Sequence, residues 1–271
     1  MTGIRRLEPF TLPLDIDGTQ LRIAGLRRDG DGPPLVFLHG FGSTKEDYAD
    51  VVQQAALDDR PVIAYDAPGC GRSTASNYRA LSIPFLVRTA ELVLQAHRVE
   101  RFDLIGHSMG GLTALLLADN DPDRVTHFID IEGNVAPEDC FLSRQIIDHP
   151  APDADTFMER FIERVSASRY YGSALYASTL AFKVRADVVQ PIFASMVDLS
   201  DNAGLLTRFL ALPMPRMLMY GEQNATLSYL PAMSQVDGVE LAEIPDCGHF
   251  PMYSNPVAMW QHVTRFLESG R

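Results

Sequence analysis

Short apolar runs alternate along this chain with longer segments of helical spacing. The runs at residues 35–39, 62–66, 102–106, 125–131, 216–220 and 239–244 look like buried strands. Segments 45–57, 82–97, 109–118 and 256–268 look like helices and separate most of them. The last opens at Asn255-Pro256, with asparagine as a cap and proline in the first turn. Strand alternating with helix predicts a parallel sheet. Before it, residues 7–27 alternate brokenly around Asp17-Gly18, which predicts an antiparallel hairpin at the sheet edge.

Length and composition change this picture little. The 271 residues suffice for one large α/β domain, and 46% apolar residues with 19 Gly and 18 Pro spread through the chain describe an ordinary globular protein. A formal charge of -12 argues against nucleic acid or an anionic lipid surface as partner, since both need a basic face. Cys70, Cys140 and Cys247 are an odd number at unrelated spacings, so no disulfide framework and no C-x-x-C site is expected. The opening MTGIRRLEPFTLPLDI lacks an apolar leader core, and no run of about 18 apolar residues is present to span a bilayer. A soluble cytoplasmic protein is the expectation.

The candidate chemistry begins where the run at 102–106 meets Gly106-His107-Ser108-Met109-Gly110. This is a G-x-S-x-G strand-to-helix turn, which lifts a serine hydroxyl clear of the backbone where a base can reach it. Just after it, the Met109 N–H and the helix N-terminus favour negative charge, as an acyl-transfer oxyanion would need. His39-Gly40-Phe41-Gly42 ends an earlier strand in a glycine-rich turn that can offer the Phe41 N–H as a second donor. His249 follows the last strand in Cys247-Gly248-His249-Phe250-Pro251 and is the expected general base. His39 and His107 are expected to brace their turns. No H-E-x-x-H pattern or acid cluster suggests a metal.

Taken together, HGFG, D-x-P-G-x-G-x-S, GHSMGG and GHFPMYSNP resemble the α/β-hydrolase superfamily. The resemblance implies a mostly parallel eight-stranded sheet with helices on both faces. It also implies a core domain of residues 1–133 and 213–271, with a helical cap, 134–212, inserted after the sixth strand. Phe157, Phe161, Tyr170, Tyr171, Tyr176 and Phe182 lie in that cap segment, most expected to pack it and a minority to face substrate.

The triad acid departs from the commonest pattern of that superfamily. Asn224, in MLMYGEQNATL, stands where the carboxylate is expected, and exchanging acid for amide in a serine triad costs about four orders of magnitude in turnover. Glu132, ending VTHFIDIEGN, is the better candidate, with Glu222, Asp130 and Asp246 behind it. A Ser/Glu/His order with a GHS elbow resembles the zearalenone lactonase group. The expected function is therefore a serine hydrolase that cleaves a carboxylic ester or lactone of a small to medium hydrophobic substrate, with no cofactor. Diketone C–C hydrolysis, thioester hydrolysis and natural-product cyclisation use the same scaffold, and a ligand-binding member with little turnover is the alternative that Asn224 favours. A homodimer is left open by the sequence.

Overall fold

All six apolar runs are strands in the computed structural model, which describes residues 6–269. Met1–Arg5, the first residues of the opening segment in which no leader is expected, lie outside the described residues. The opening hairpin is β1 (Glu8–Ile16) and β2 (Thr19–Arg28), turning at Asp17-Gly18. Then come β3 (Leu35–Leu38), β4 (Val62–Tyr65), β5 (Thr74–Ala75), α1 (Ile83–Ala96), β6 (Phe102–His107), α2 (Met109–Asn120) and β7 (Val125–Ile131). After β7 lie the helices α3 (Gln145–Asp148), α4 (Ala154–Ser166), α5 (Tyr171–Lys183), α6 (Val189–Asn202) and α7 (Leu205–Ala211). The chain closes with β8 (Arg216–Gly221), α8 (Leu230–Met233), β9 (Val239–Ile244), α9 (Pro251–Ser254) and α10 (Pro256–Ser269).

The sheet runs β1-β2-β4-β3-β6-β7-β8-β9, antiparallel at the hairpin edge and parallel from β4 onward. This path holds the eight expected strands. The two-residue β5 adds a ninth beside Leu21 and Arg22 of β2, too short to leave a pattern in the sequence. Alternation along β3 shows how both faces are covered. Leu38 faces a pocket shared with Leu86 of α1 and Met109, Gly110 and Thr113 of α2. Phe37, its neighbour, stacks on Tyr48 at 4.8 Å between centroids and meets Trp260 of α10 edge-on.

One expected helix differs. Residues 45–57 form two 3₁₀ segments, Lys45–Gln53 and Ala55–Leu57, not an α-helix. Its buried residues Lys45, Tyr48 and Val51 recur every third position, the period of a 3₁₀ turn. Lys45 is held there by a buried ion pair with Asp66, 2.8 Å, and the Asp66 carboxylate also accepts from the Lys45 and Arg72 N–H groups. The α10 start is as the sequence predicts: Asn255 Oδ1 accepts from the Ala258 N–H at 3.2 Å.

The helices between β7 and β8 are tied to the sheet domain at their α5 end. Gly71 N–H donates to the Lys183 carbonyl at 2.7 Å and Arg185 N–H to the Gly69 carbonyl at 3.1 Å, flanking a Cys70–Val184 bridge. Lys183 Nζ also donates to Tyr253 Oη at 3.0 Å, and that hydroxyl donates to Asp47 at 2.8 Å. Nearer β7, Tyr229 Oη donates to Asp139 at 2.7 Å and Ser228 N–H to Glu138 at 3.2 Å. Among the described residues no helix is long and apolar enough to cross a membrane.

Candidate active site

Ser108 sits between the last residue of β6 and the first of α2 with φ +53° and ψ -118°, a conformation that L-residues rarely adopt. The turn is tight enough that a Cβ on Gly106 would stand 2.4 Å from the Gly110 carbonyl oxygen. The Ser108 N–H donates to the Ile131 carbonyl on β7 and its own carbonyl accepts from Leu112, both at 2.9 Å. These bonds fix the backbone and leave the side chain to project from the strand end.

His249 comes to it from the loop after β9. Its Nε2 lies 2.9 Å from Ser108 Oγ and its Nδ1 3.1 Å from Glu132 Oε2. With Glu132 as a carboxylate, which can only accept, Nδ1 carries the ring proton and Nε2 accepts from the serine hydroxyl. All three residues are buried: Ser108 and Glu132 are each 8% exposed and His249 4%. Burial pushes the His249 imidazole down from its ordinary value, to about 3.

Glu132 directly follows β7 and also has a left-handed backbone, φ +53°. Its N–H donates to the Met219 carbonyl of β8 at 2.8 Å, which anchors the strained residue. Oε1 accepts the Gly221 N–H at 2.5 Å and Oε2 accepts the side-chain amide of Asn224. Burial raises its carboxyl to about 8, while the Gly221 and Asn224 donors pull the other way. Burial therefore favours the uncharged form of both partners in the Glu132–His249 pair, and the converging donors favour the carboxylate.

Among the described residues no hydrogen bond joins His249 to Glu222, Asp130 or Asp246. Glu222 accepts the Asp246 N–H at 2.9 Å, and Asp246 is exposed. Asp130 is buried against Gly111 and Gly133, and its carboxyl is pushed well above the usual range by burial and by the charges of Asp139 and Glu132. Asn224, read from sequence as a lost acid, is a hydrogen-bond donor to Glu132.

The turn at 39–42 packs directly on the elbow, since a Cβ on Gly40 would stand 2.5 Å from His107 Nδ1 and 3.1 Å from Ser108 Cβ. That contact sets Gly40, the residue before Phe41, against the serine. Met109 is the first residue of α2, so its N–H has no intrahelical acceptor. His39 braces the turn as expected: Nε2 accepts the Ala67 N–H at 2.8 Å and Nδ1 donates to the Gly40 carbonyl at 2.7 Å. His107 does more. Its Nε2 donates to the His249 carbonyl at 2.8 Å, and burial together with the nearby His249 pushes its imidazole down to about 3.

Aromatic rings roof the site. Phe41 packs on Phe193 of α6 at 4.6 Å, and Phe157 and Phe161 of α4 complete that cluster. Tyr176 of α5 stacks on Phe250 at 4.4 Å, and Phe141 meets the His249 ring edge-on at 5.0 Å while 44% exposed. Of the aromatics singled out in the sequence, Phe157, Phe161 and Tyr176 are buried. Tyr171 and Phe182 are 71% and 88% exposed and take no part in this packing. Phe141 carries no signal in the sequence, because its 3₁₀ segment, Pro137–Phe141, has no apolar period. Among the described residues no group of three or more His, Cys, Asp or Glu is disposed to hold a metal.

The family model described as the alpha/beta hydrolase family matches residues 35–261. The chain is 30% identical over 214 residues to a pimeloyl-[acyl-carrier protein] methyl ester esterase of Aeromonas salmonicida, covering 74% of this chain and 80% of that protein. It is 24% identical over 249 residues to a 2-succinyl-6-hydroxy-2,4-cyclohexadiene-1-carboxylate synthase of Serratia proteamaculans, covering 88% and 94%. Among solved structures it is similar to one from a study of carboxylesterases of the thaumarchaeon Nitrososphaera gargenis. That match has a TM-score of 0.76 and 17% identity, covering 96% of this chain and 98% of that one.

Proposed function

The chain belongs to the alpha/beta hydrolase family, and on that premise we propose that it is a serine hydrolase that cleaves a carboxylic ester or lactone through an acyl-serine intermediate. The observation that carries this reading is the hydrogen-bonded chain from Ser108 Oγ through the His249 ring to Glu132 Oε2. Ser108 Oγ attacks the carbonyl carbon and its proton passes to His249 Nε2. The tetrahedral oxyanion is held by the N–H groups of Phe41 and Met109. As the C–O bond to the leaving group breaks, Nε2 returns the proton to the departing alkoxide. Water then attacks the acyl-serine with His249 as base, the acid is released and Ser108 regains its proton. Glu132 keeps the ring in the Nδ1–H tautomer and stabilises the imidazolium formed in each half-reaction.

The helices of residues 137–211 act as a cap over this site, and their aromatic roof suits a small to medium hydrophobic acyl or alcohol group. The ester side of the reading draws on the methyl ester esterase relative, and the lactone side on the Ser/Glu/His order. A screen of esters, lactones, thioesters and diketones, run beside a fluorophosphonate probe, tests it. Turnover of at least one ester or lactone together with labelling of Ser108 is expected. Ester or lactone turnover that survives unchanged in Ser108→Ala would overturn it.

A further inference from the structure

Asn224 ends the 3₁₀ turn Glu222–Asn224 that follows β8, at the position where the superfamily resemblance implies an acid. Its side-chain amide donates to Glu132 Oε2, and the same oxygen lies 3.1 Å from His249 Nδ1. Oε1 is occupied by the Gly221 N–H at 2.5 Å. With Oε1 held by the backbone and Oε2 by the amide, the carboxylate cannot turn without losing a bond. We propose that Asn224 is a positioning residue for this site: through Glu132 it aims Oε2 at the His249 Nδ1–H and so sustains the tautomer that can take the serine proton. The inference rests on the serine-hydrolase reading and adds to it the part played by the residue standing in place of the usual acid.

The physical reason is the direction of the protons. A carboxylate at 132 accepts from Nδ1–H and leaves Nε2 free to accept from Ser108. A protonated Glu132 could instead donate to Nδ1, putting the ring proton on Nε2, where it blocks acceptance from the hydroxyl. Donors to the carboxylate favour the productive form and burial opposes it. The remaining groups that bear on Glu132 are Asp130 on β7, Asp139 in the 3₁₀ segment beyond it, Tyr229 ahead of α8, and Cys247 and His249 after β9. Glu222 lies on the turn of Asn224 itself and is taken up by the Asp246 N–H. Burial opposes ionisation of Glu132, and the Asn224 amide is the side-chain donor beside His249 that supports it.

The test is a double-mutant cycle read across pH. Hydrolysis of a 4-nitrophenyl ester is measured for wild type, Asn224→Ala, Glu132→Gln and the double variant, with labelling of Ser108 by a fluorophosphonate as control. Asn224→Ala is expected to lower kcat about tenfold at neutral pH with KM kept within about twofold, the size of one hydrogen bond to a charged group. It should also move the rising limb of the profile to higher pH by roughly half to one unit, so that the loss shrinks in alkali. In the Glu132→Gln background the same substitution should change kcat by less than about twofold. A loss equal at every pH, or one that is undiminished in the Glu132→Gln background, overturns the inference while leaving labelled Ser108, and hence the enzyme class, intact. If wild type is neither labelled nor impaired by Ser108→Ala, the serine-hydrolase reading fails and takes the inference with it. Should Asn224→Ala fail to fold, Asn224→Ser serves in the same cycle, its shorter donor giving an intermediate shift.

Discussion

The His107 imidazole donates from Nε2 to the backbone carbonyl of His249 at 2.8 Å, so the residue preceding the nucleophile holds the loop that carries the base. This bond joins the end of β6 to the loop after β9 across β7 and β8, and so ties the neighbour of Ser108 to the backbone of His249.

It has a consequence for acid stability. A histidine in the unfolded chain takes up a proton near pH 6.5, whereas folded His107 does so only at about 3. The unfolded state therefore binds a proton that the folded state refuses, and stability present above pH 6.5 is lost as pH falls toward 3. His107→Gln, which keeps a donor for the His249 carbonyl, should make the loss of unfolding free energy between pH 7 and 5 smaller by about 2 kcal/mol, seen as a shallower fall in Tm. Calorimetry across that range checks it; parallel curves for the two proteins would remove His107 as a cause.

Ser108→Ala should abolish fluorophosphonate labelling and reduce ester turnover by several orders of magnitude, with the fold retained. Alanine at φ +53° is no more strained than serine, so circular dichroism and Tm should be close to wild type. Equal labelling of the two proteins would contradict the proposed nucleophile.

Glu132→Gln should lower kcat by about two to four orders of magnitude with little change in KM, because the amide removes the charge that stabilises the imidazolium. The same change aims an NH₂ group at donors already in place, Gly221 N–H, Asn224 Nδ2 or His249 Nδ1. Steady-state kinetics separates this from Glu222→Gln, whose side chain accepts the Asp246 N–H and which should stay within about threefold of wild type.

Phe141 meets the His249 ring edge-on and is 44% exposed, which puts it at the rim of the site and not in the core. Phe141→Ala should raise KM for an aromatic ester about three- to tenfold while leaving kcat within about twofold and stability within roughly 1 kcal/mol. A fall in kcat at constant KM would instead assign the ring to the chemistry.

The parts of this fold legible in sequence are those imposed by local sterics. The Gly106-to-Gly110 elbow needs glycines at fixed offsets, and β3 and β4, buried at every position, need unbroken apolar runs, so both leave a mark. Segment 45–57 shows every element of a helix except its period, and the period of three at Lys45, Tyr48 and Val51 made it 3₁₀. Tyr171 and Phe182 look like packing residues because α5 is apolar on more than one side, and only the placement of its neighbours leaves them exposed. Glu132 could be chosen as an acid because it ends a strand beside the elbow. The meeting of Asn224 with its carboxylate could not, since it depends on the ends of β7 and β8 converging across 92 positions of chain.

Distance along the chain also governs when this site can exist. Ser108 and His249 are 141 positions apart, and Glu132 and His249 are 117 apart, so their bonds close some of the longest loops in the molecule. Loop closure on that scale is delayed until the intervening elements have collapsed. The elbow can form early from β6 and α2, but it stays inert until β9 docks and delivers the histidine. During refolding, reactivity of the serine therefore reports the docking of the last strand, and its appearance marks the end of folding where secondary structure marks only the beginning.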